Sequence, residues 1–160
     1  KGKLVMIKVL FVCTGNICRS PTGEGVFRKR ADLQGLGDQF YIDSCGTSDW
    51  HIGDTPDARS QQAAQARDID LSNLHARQLC TADFDVFDIL FAMDKSHFDK
   101  MIAMAPAGAA AKVRMFLEPI SKEFSTIEVP DPYYGGGDGF ELVLDMIERG
   151  SDAWIAELKK

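Results

Sequence analysis

The stretch "IKVLFVC", residues 7–13, is apolar on both of its alternating faces apart from Lys8. A strand of this kind has to be covered on both sides, which is how the central strands of parallel sheets are buried. Three more β-rich runs follow: "FYIDSCG" at 40–46, "FDILFAM" at 87–93 and "KVRMFL" at 112–117. Helical patterns separate them at 19–33, 57–67 and 95–104, and a last one spans 138–158. This alternation predicts an α/β fold, a single three-layer sandwich in which a four-stranded parallel sheet is flanked by helices through right-handed crossovers. The chain has 160 residues, 45% of them hydrophobic, with no internal repeat, linker or low-complexity segment, so one domain over 1–160 is expected to bury its own core.

Two local readings refine this picture. Asp138 precedes "GFELVLDMI" with Glu141 three residues on, which predicts a capping box, and Phe140, Val143, Leu144 and Ile147 mark a buried face at helical spacing. Gly23 and Gly25 lie inside the first helix, where each costs about 1 kcal/mol relative to alanine, so a close approach of that helix to the sheet is expected.

The net charge of −6 and pI near 5.0 oppose a broad electrostatic grip on nucleic acid or anionic lipid. No apolar run approaches the roughly 20 residues of a spanning helix, and "KGKLVMIKVLFVC" runs directly into a strand pattern, so a cytoplasmic protein without membrane insertion is expected. Met6 is read as the natural start, with residues 1–5 a remnant of expression. Cys13, Cys18, Cys45 and Cys80 show no Cys-x-x-Cys spacing and form no disulfide framework. Neither a metal nor a cofactor is expected.

Chemistry concentrates in "VCTGNICRSP", residues 12–21, a turn between the first strand and the first helix. Open α/β sheets bind ligands at this carboxyl edge. Backbone N–H groups of residues 14–19 (Thr14, Gly15, Asn16, Ile17, Cys18 and Arg19) can form a nest, and the following helix adds its positive end, which together suit an oxyanion. Pro21 fits the first helical turn, where its missing N–H is not needed. Arg19 supplies a planar fork for two phosphate oxygens. Cys13 at the base of such a cradle is stabilised as the thiolate nucleophile, and Ser20 can donate a hydroxyl hydrogen bond to its sulfur. The Cys-x5-Arg spacing lets the backbone wrap a tetrahedral anion. A Walker-type nucleotide loop would need a lysine that is missing here.

Expelling an aryloxide from a phosphate monoester calls for an acid, and Asp131, stiffened between Pro130 and Pro132, is the candidate. Trp50, Tyr133 and Tyr134 lie on predicted loops and can wall a pocket that stacks a phenyl ring.

"CTGNICRSP" resembles the signature of the low-molecular-weight protein tyrosine phosphatases, and "TSDWHIG" at 47–53, "FAMDKS" at 91–96 and "DPYYGGGDGF" at 131–140 carry the resemblance over nearly the whole chain. The resemblance implies Cys13 as nucleophile, Arg19 as phosphate clamp and Asp131 as general acid and base. It also implies that Asn16 holds the loop in shape, that Asp94 supports the loop or the acid, and that Trp50 and Tyr133 rather than Tyr134 are the aromatic walls. Cys18 is implied to form a reversible, protective disulfide with Cys13. Ser44 and Arg77 are read as braces, and Cys45 and Cys80 as core residues without chemistry. The sequence departs from the family at His97, where asparagine is common, and in "NLHARQL", where His75 directly precedes Ala76. His51 and His75 are read as solvated or structural.

The implied partner is a phosphotyrosine protein. The "DW" at 49–50, without a basic neighbour, resembles bacterial members, some of which act on tyrosine kinases of polysaccharide export. A monomer is expected. An arsenate reductase of the same fold is the alternative, but its cysteine relay needs a second downstream cysteine that "CTADFDVFDIL" lacks. A non-catalytic phosphotyrosine-binding module would have no use for both Cys13 and Asp131.

Overall fold

In the computed structural model, which describes residues 5–134 and 138–160 and only the backbone of Tyr134, the apolar run at the start becomes strand β1 (Ile7–Cys13). It pairs in parallel with β2 (Phe40–Gly46) on one side and β3 (Ile89–Ala92) on the other, and β4 (Val113–Met115) continues the sheet beyond β3. The helices are α1 (Arg19–Leu33), α2 (Ala58–Gln65), α3 (Asp83–Val86), α4 (Lys95–Met104), α5 (Ser121–Phe124) and α6 (Gly139–Leu158).

Alternation along β1 divides the core in two. Val9 and Phe11 face α1 and α6 in a cluster that includes Phe27, Ile147 and Trp154. Leu10 and Val12 join Phe84, Leu90 and Met101 on the opposite face. The parallel, helix-covered sandwich is therefore the one the sequence predicts, because β1 cannot leave either face in water. Phe11 anchors the larger cluster, its ring 5.2 Å from Phe91, 5.4 Å from Phe116 and 5.8 Å from Phe27 between centroids. Trp154 donates its indole N–H to the Phe116 carbonyl at 2.7 Å.

The chain leaves β1 toward β2 and later crosses to β3 on the other side, so the order β2-β1-β3-β4 reverses direction between β1 and β3. Loops after these two strands diverge onto opposite faces and leave a crevice at their carboxyl ends. Among the described residues no helix is long and apolar enough to cross a membrane.

Four details differ from the sequence reading. Asp138 makes no side-chain cap bond, since its backbone sits at φ −89°, ψ −2° instead of the extended range in which a cap side chain reaches the first turn, and Glu141 pairs with Arg67 at 2.8 Å, as do Asp145 and Glu148 of the same helix at 3.0 and 3.1 Å. The capping box forms instead at α4, between Asp94 and His97. Phe140 stays half-buried under the Arg59 guanidinium, 4.9 Å from its ring centroid, and leaves the core face to Val143, Leu144 and Ile147. The third strand begins at Ile89 rather than 87, since Phe87 closes the short helix α3.

Close packing at the two helical glycines is real but only one of them meets the sheet. A Cβ on Gly23 would sit 2.4 Å from Cδ1 of Phe11, whereas one on Gly25 would strike Leu71, in the segment after α2. Gly23→Ala is therefore expected to cost about 1–3 kcal/mol by overpacking. Urea unfolding should show a lower midpoint at unchanged slope, and an unshifted midpoint would mean that Phe11 can yield.

Candidate active site

The loop between β1 and α1 is held from outside by its carbonyls. Thr47 N–H donates to the Cys13 carbonyl at 2.8 Å, Ser48 donates to that of Thr14 through its N–H at 3.0 Å and its hydroxyl at 2.9 Å, and Asp57 N–H donates to that of Ile17 at 2.8 Å. With these carbonyls engaged, the loop offers N–H groups as its polar backbone atoms for an anion. Gly46, at the end of β2, permits this approach: a Cβ there would lie 2.5 Å from the Thr14 carbonyl oxygen and 3.0 Å from the Asn16 nitrogen.

Inside the loop Asn16 adopts the left-handed region, φ 58°, and is buried. Asparagine tolerates this conformation better than most residues. Its amide donates to the Ser20 hydroxyl at 2.8 Å and the Ser44 hydroxyl at 3.0 Å, and its carbonyl accepts from Arg77 N–H at 3.0 Å. Ser20 contacts the Cys13 sulfur at 3.0 Å through its hydroxyl and at 3.4 Å through its N–H. Ser44 donates to Glu24 at 2.7 Å, and the Glu24 carboxyl is in turn paired with Arg28 at 3.0 Å. Burial raises the Glu24 pKa above the ordinary carboxylate value, against the opposing bonds from Ser44 and Arg28. Glu24 escaped the sequence reading, although it lies one helical turn from both Ser20 and Arg28.

Arg19 is 4% exposed. Its Nη1 donates to Asp94 at 2.7 Å and to the Val129 carbonyl at 3.0 Å, while Nη2 lies 3.7 Å from Asp131. Val129 is itself fixed by donating its N–H to the Met93 carbonyl at the end of β3, 2.8 Å away. Asp131 accepts the Tyr133 N–H at 2.9 Å. Burial alone would raise the Asp94 carboxyl, but the Ser96 hydroxyl bond, His97 and Arg19 outweigh it and hold the pKa at about 2.

A cavity of about 280 Å³ opens over this assembly, lined by Cys13, Arg19, Asp131, Trp50 and Tyr133 together with Thr14, Gly15, Ile17, Cys18 and His51. The structure thus gathers the nucleophile, clamp and acid candidates, with two of the three aromatic candidates. The Tyr134 side chain lies outside the described residues. Trp50 is 73% and Tyr133 47% exposed, at the mouth of the cavity. His51 is more than a solvated residue: its ring lies against Gly15 and its Nδ1 meets Asp54 at 3.1 Å. His75 is exposed. Arg77 braces the loop through its backbone, and its guanidinium pairs with Asp43 and Asp83, each at 3.0 Å.

The cysteines divide differently from expectation. Cys45 is buried, but Cys80 is exposed in the turn before α3, where Asp83 accepts its N–H at 2.9 Å. Cys13 and Cys18 are both free thiols. Burial pushes the Cys18 thiol up to about 12 despite a hydrogen bond with Ser60.

Residues 8–160 match the family of low molecular weight phosphotyrosine protein phosphatases. The chain belongs to this family. A low molecular weight phosphotyrosine protein phosphatase of Schizosaccharomyces pombe is 50% identical over 135 residues, 84% of this chain and 85% of its own length. The crystal structure of a protein tyrosine phosphatase from Entamoeba histolytica, with Hepes in its active site, superposes with a TM-score of 0.91 at 35% identity, covering 96% of this chain and 97% of that one. YfkJ from Bacillus subtilis superposes equally well, with a TM-score of 0.91 at 36% identity over 99% and 98% of the two chains. His97, which replaces the asparagine common in the family, does not line the cavity but reaches it through Thr14, whose hydroxyl oxygen lies 2.9 Å from its Nε2.

His97 is 1% exposed, and burial, reinforced by the Arg19 charge, pushes its pKa down from 6.5 to about 4. The unfolded chain therefore takes up a proton near pH 6.5 that the native state refuses until about pH 4. Stability from this group falls as pH drops through that window, by about 3 kcal/mol in total. The gap in unfolding free energy between wild type and His97→Asn is expected to shift by that order between pH 7 and pH 4, with the wild type losing more. Parallel curves would show that His97 titrates in the native state as it does in the unfolded chain.

Proposed function

We propose that the chain hydrolyses phosphotyrosine and small aryl phosphate monoesters through a cysteinyl-phosphate, without metal or cofactor. The observation that carries this reading is the convergence of Cys13, Arg19 and Asp131 on one cavity with aromatic residues at its mouth. The phosphate dianion sits against the loop N–H groups and the Arg19 fork. The Cys13 thiolate attacks phosphorus while the P–O bond to the phenol breaks, and the carboxylic acid of Asp131 gives its proton to the departing oxygen. The Asp131 carboxylate then takes a proton from water as that water attacks phosphorus. Phosphate leaves, and the sulfur departs as a thiolate that the Ser20 hydroxyl, 3.0 Å away, can receive with a hydrogen bond.

Asp94 holds Arg19 from behind, so the clamp is oriented before substrate arrives. Asn16, Ser20 and Ser44 hold the loop in the shape that accepts the anion. Trp50 and Tyr133 flank the substrate ring, which favours aryl over alkyl esters. The substrate is a phosphotyrosine-bearing protein, in the bacterial case a tyrosine kinase, and the enzyme acts as a cytoplasmic monomer built from one domain. Peroxide converts the Cys13 thiol to a sulfenic acid. Condensation with the Cys18 thiol then releases water and forms a disulfide, a step slowed by the burial that keeps Cys18 protonated.

Cys13→Ser is expected to abolish turnover of p-nitrophenyl phosphate and of a phosphotyrosine peptide. Asp131→Asn should slow phenyl phosphate, with its poor leaving group, by about 100-fold or more, and p-nitrophenyl phosphate much less. Equal losses on the two esters would remove Asp131 from the role of acid.

A further inference from the structure

We propose that His97 is a positioning residue for the phosphate loop, acting through one hydrogen bond to Thr14, the residue that follows the nucleophile. The two ends of its ring do different work. Nδ1 accepts the Asp94 N–H at 3.2 Å, completing the capping box of α4, and Nε2 lies 2.9 Å from the Thr14 hydroxyl oxygen. Nδ1 also lies 3.2 Å from the Asp94 Oδ1, but the Asp94 backbone N–H aimed at it can only donate, so Nδ1 accepts, the proton of the neutral imidazole is assigned to Nε2, and the ring donates to Thr14. Asp94, whose backbone this ring fixes, is also the carboxylate that grips Arg19. A single buried side chain thus ties the front of the loop to the clamp that closes it.

The length of the ring matters. An asparagine at this position can place its Oδ1 where Nδ1 lies and so keep the cap, but it has no atom at the Nε2 position. A glutamine can place its amide nitrogen near Nε2. Thr14 is matched to His97 in the same sense, since it carries the acceptor that the imidazole N–H needs in a buried setting. This hydrogen bond is read directly from the geometry. Its bearing on catalysis rests on the phosphatase reading.

The test compares wild type, His97→Asn, His97→Gln, Thr14→Val and the double variant Thr14→Val/His97→Asn. Binding of inorganic phosphate by calorimetry needs no turnover, and kcat and KM on p-nitrophenyl phosphate are measured beside it. His97→Asn and Thr14→Val are each expected to weaken phosphate binding roughly 3- to 10-fold, as the loss of one net hydrogen bond does. The double variant should be no weaker than either single one, and His97→Gln should stay within about 2-fold of wild type. KM should rise in step with the phosphate Kd, with kcat little changed. Nitrogen-15 spectra of the ring should show Nε2 protonated at pH 7. Additive losses, a glutamine variant as weak as the asparagine one, or a proton on Nδ1 would each overturn the proposal. Should a His97 variant fail to fold, Thr14→Val decides alone, and an unchanged phosphate Kd refutes it. Wild type that binds phosphate with this pattern but hydrolyses no ester would refute the phosphatase reading and leave the positioning role standing.

Discussion

A guanidinium with almost no contact with water must be matched by charge and hydrogen bonds, and the arrangement around Arg19 organises the surrounding elements. The Asp94 carboxylate comes from the end of β3, the Val129 carbonyl from the segment that returns past it, and Asp131 from two residues further along. Removing one partner of a buried pair leaves the other charge stranded, at a cost of several kcal/mol. The two strand ends that meet at the switch point of the sheet are therefore tied by charge as well as by the ladder between β1 and β3.

Behind the nucleophile runs a second set of buried polar groups, from Ser20 through Asn16 and Ser44 to Glu24. Each donor meets an acceptor, which is the condition under which such a network stiffens a site instead of destabilising it. Its position on the α1 side of β1 places it beside the aromatic cluster around Phe11, so loop shape and core packing share the same helix. Gly23 and Glu24, adjacent in α1, face the two tasks: one lets the helix close on Phe11, the other ends the polar chain.

Much of this was legible in the residues. The two-sided apolar strand, the Cys-x5-Arg turn and the Asp131 loop between prolines each carry their chemistry locally, within ten residues or fewer. What escaped had partners far away in sequence. The capping box expected at Asp138 is absent because that backbone is helical, with Glu141 paired to Arg67, 74 residues away in the chain, while Asp94 and His97 form one at α4. Glu24 was invisible as a site residue until Ser44, 20 residues on, was placed against it. Cys80 reads as a core residue by type, but a turn that engages Asp83 leaves it in water.

The sequence by itself determined the class of fold and the reactive loop, because strand periodicity and the spacing of seven residues around an anion are short-range properties. Tertiary structure decided which carboxylate holds Arg19, that Trp50 and Tyr133 line the cavity, and that His97 spans Asp94 and Thr14, the latter 83 residues away. Those outcomes depend on distances between elements, set by how side chains fill the space between the sheet and its helices, and no local pattern encodes them.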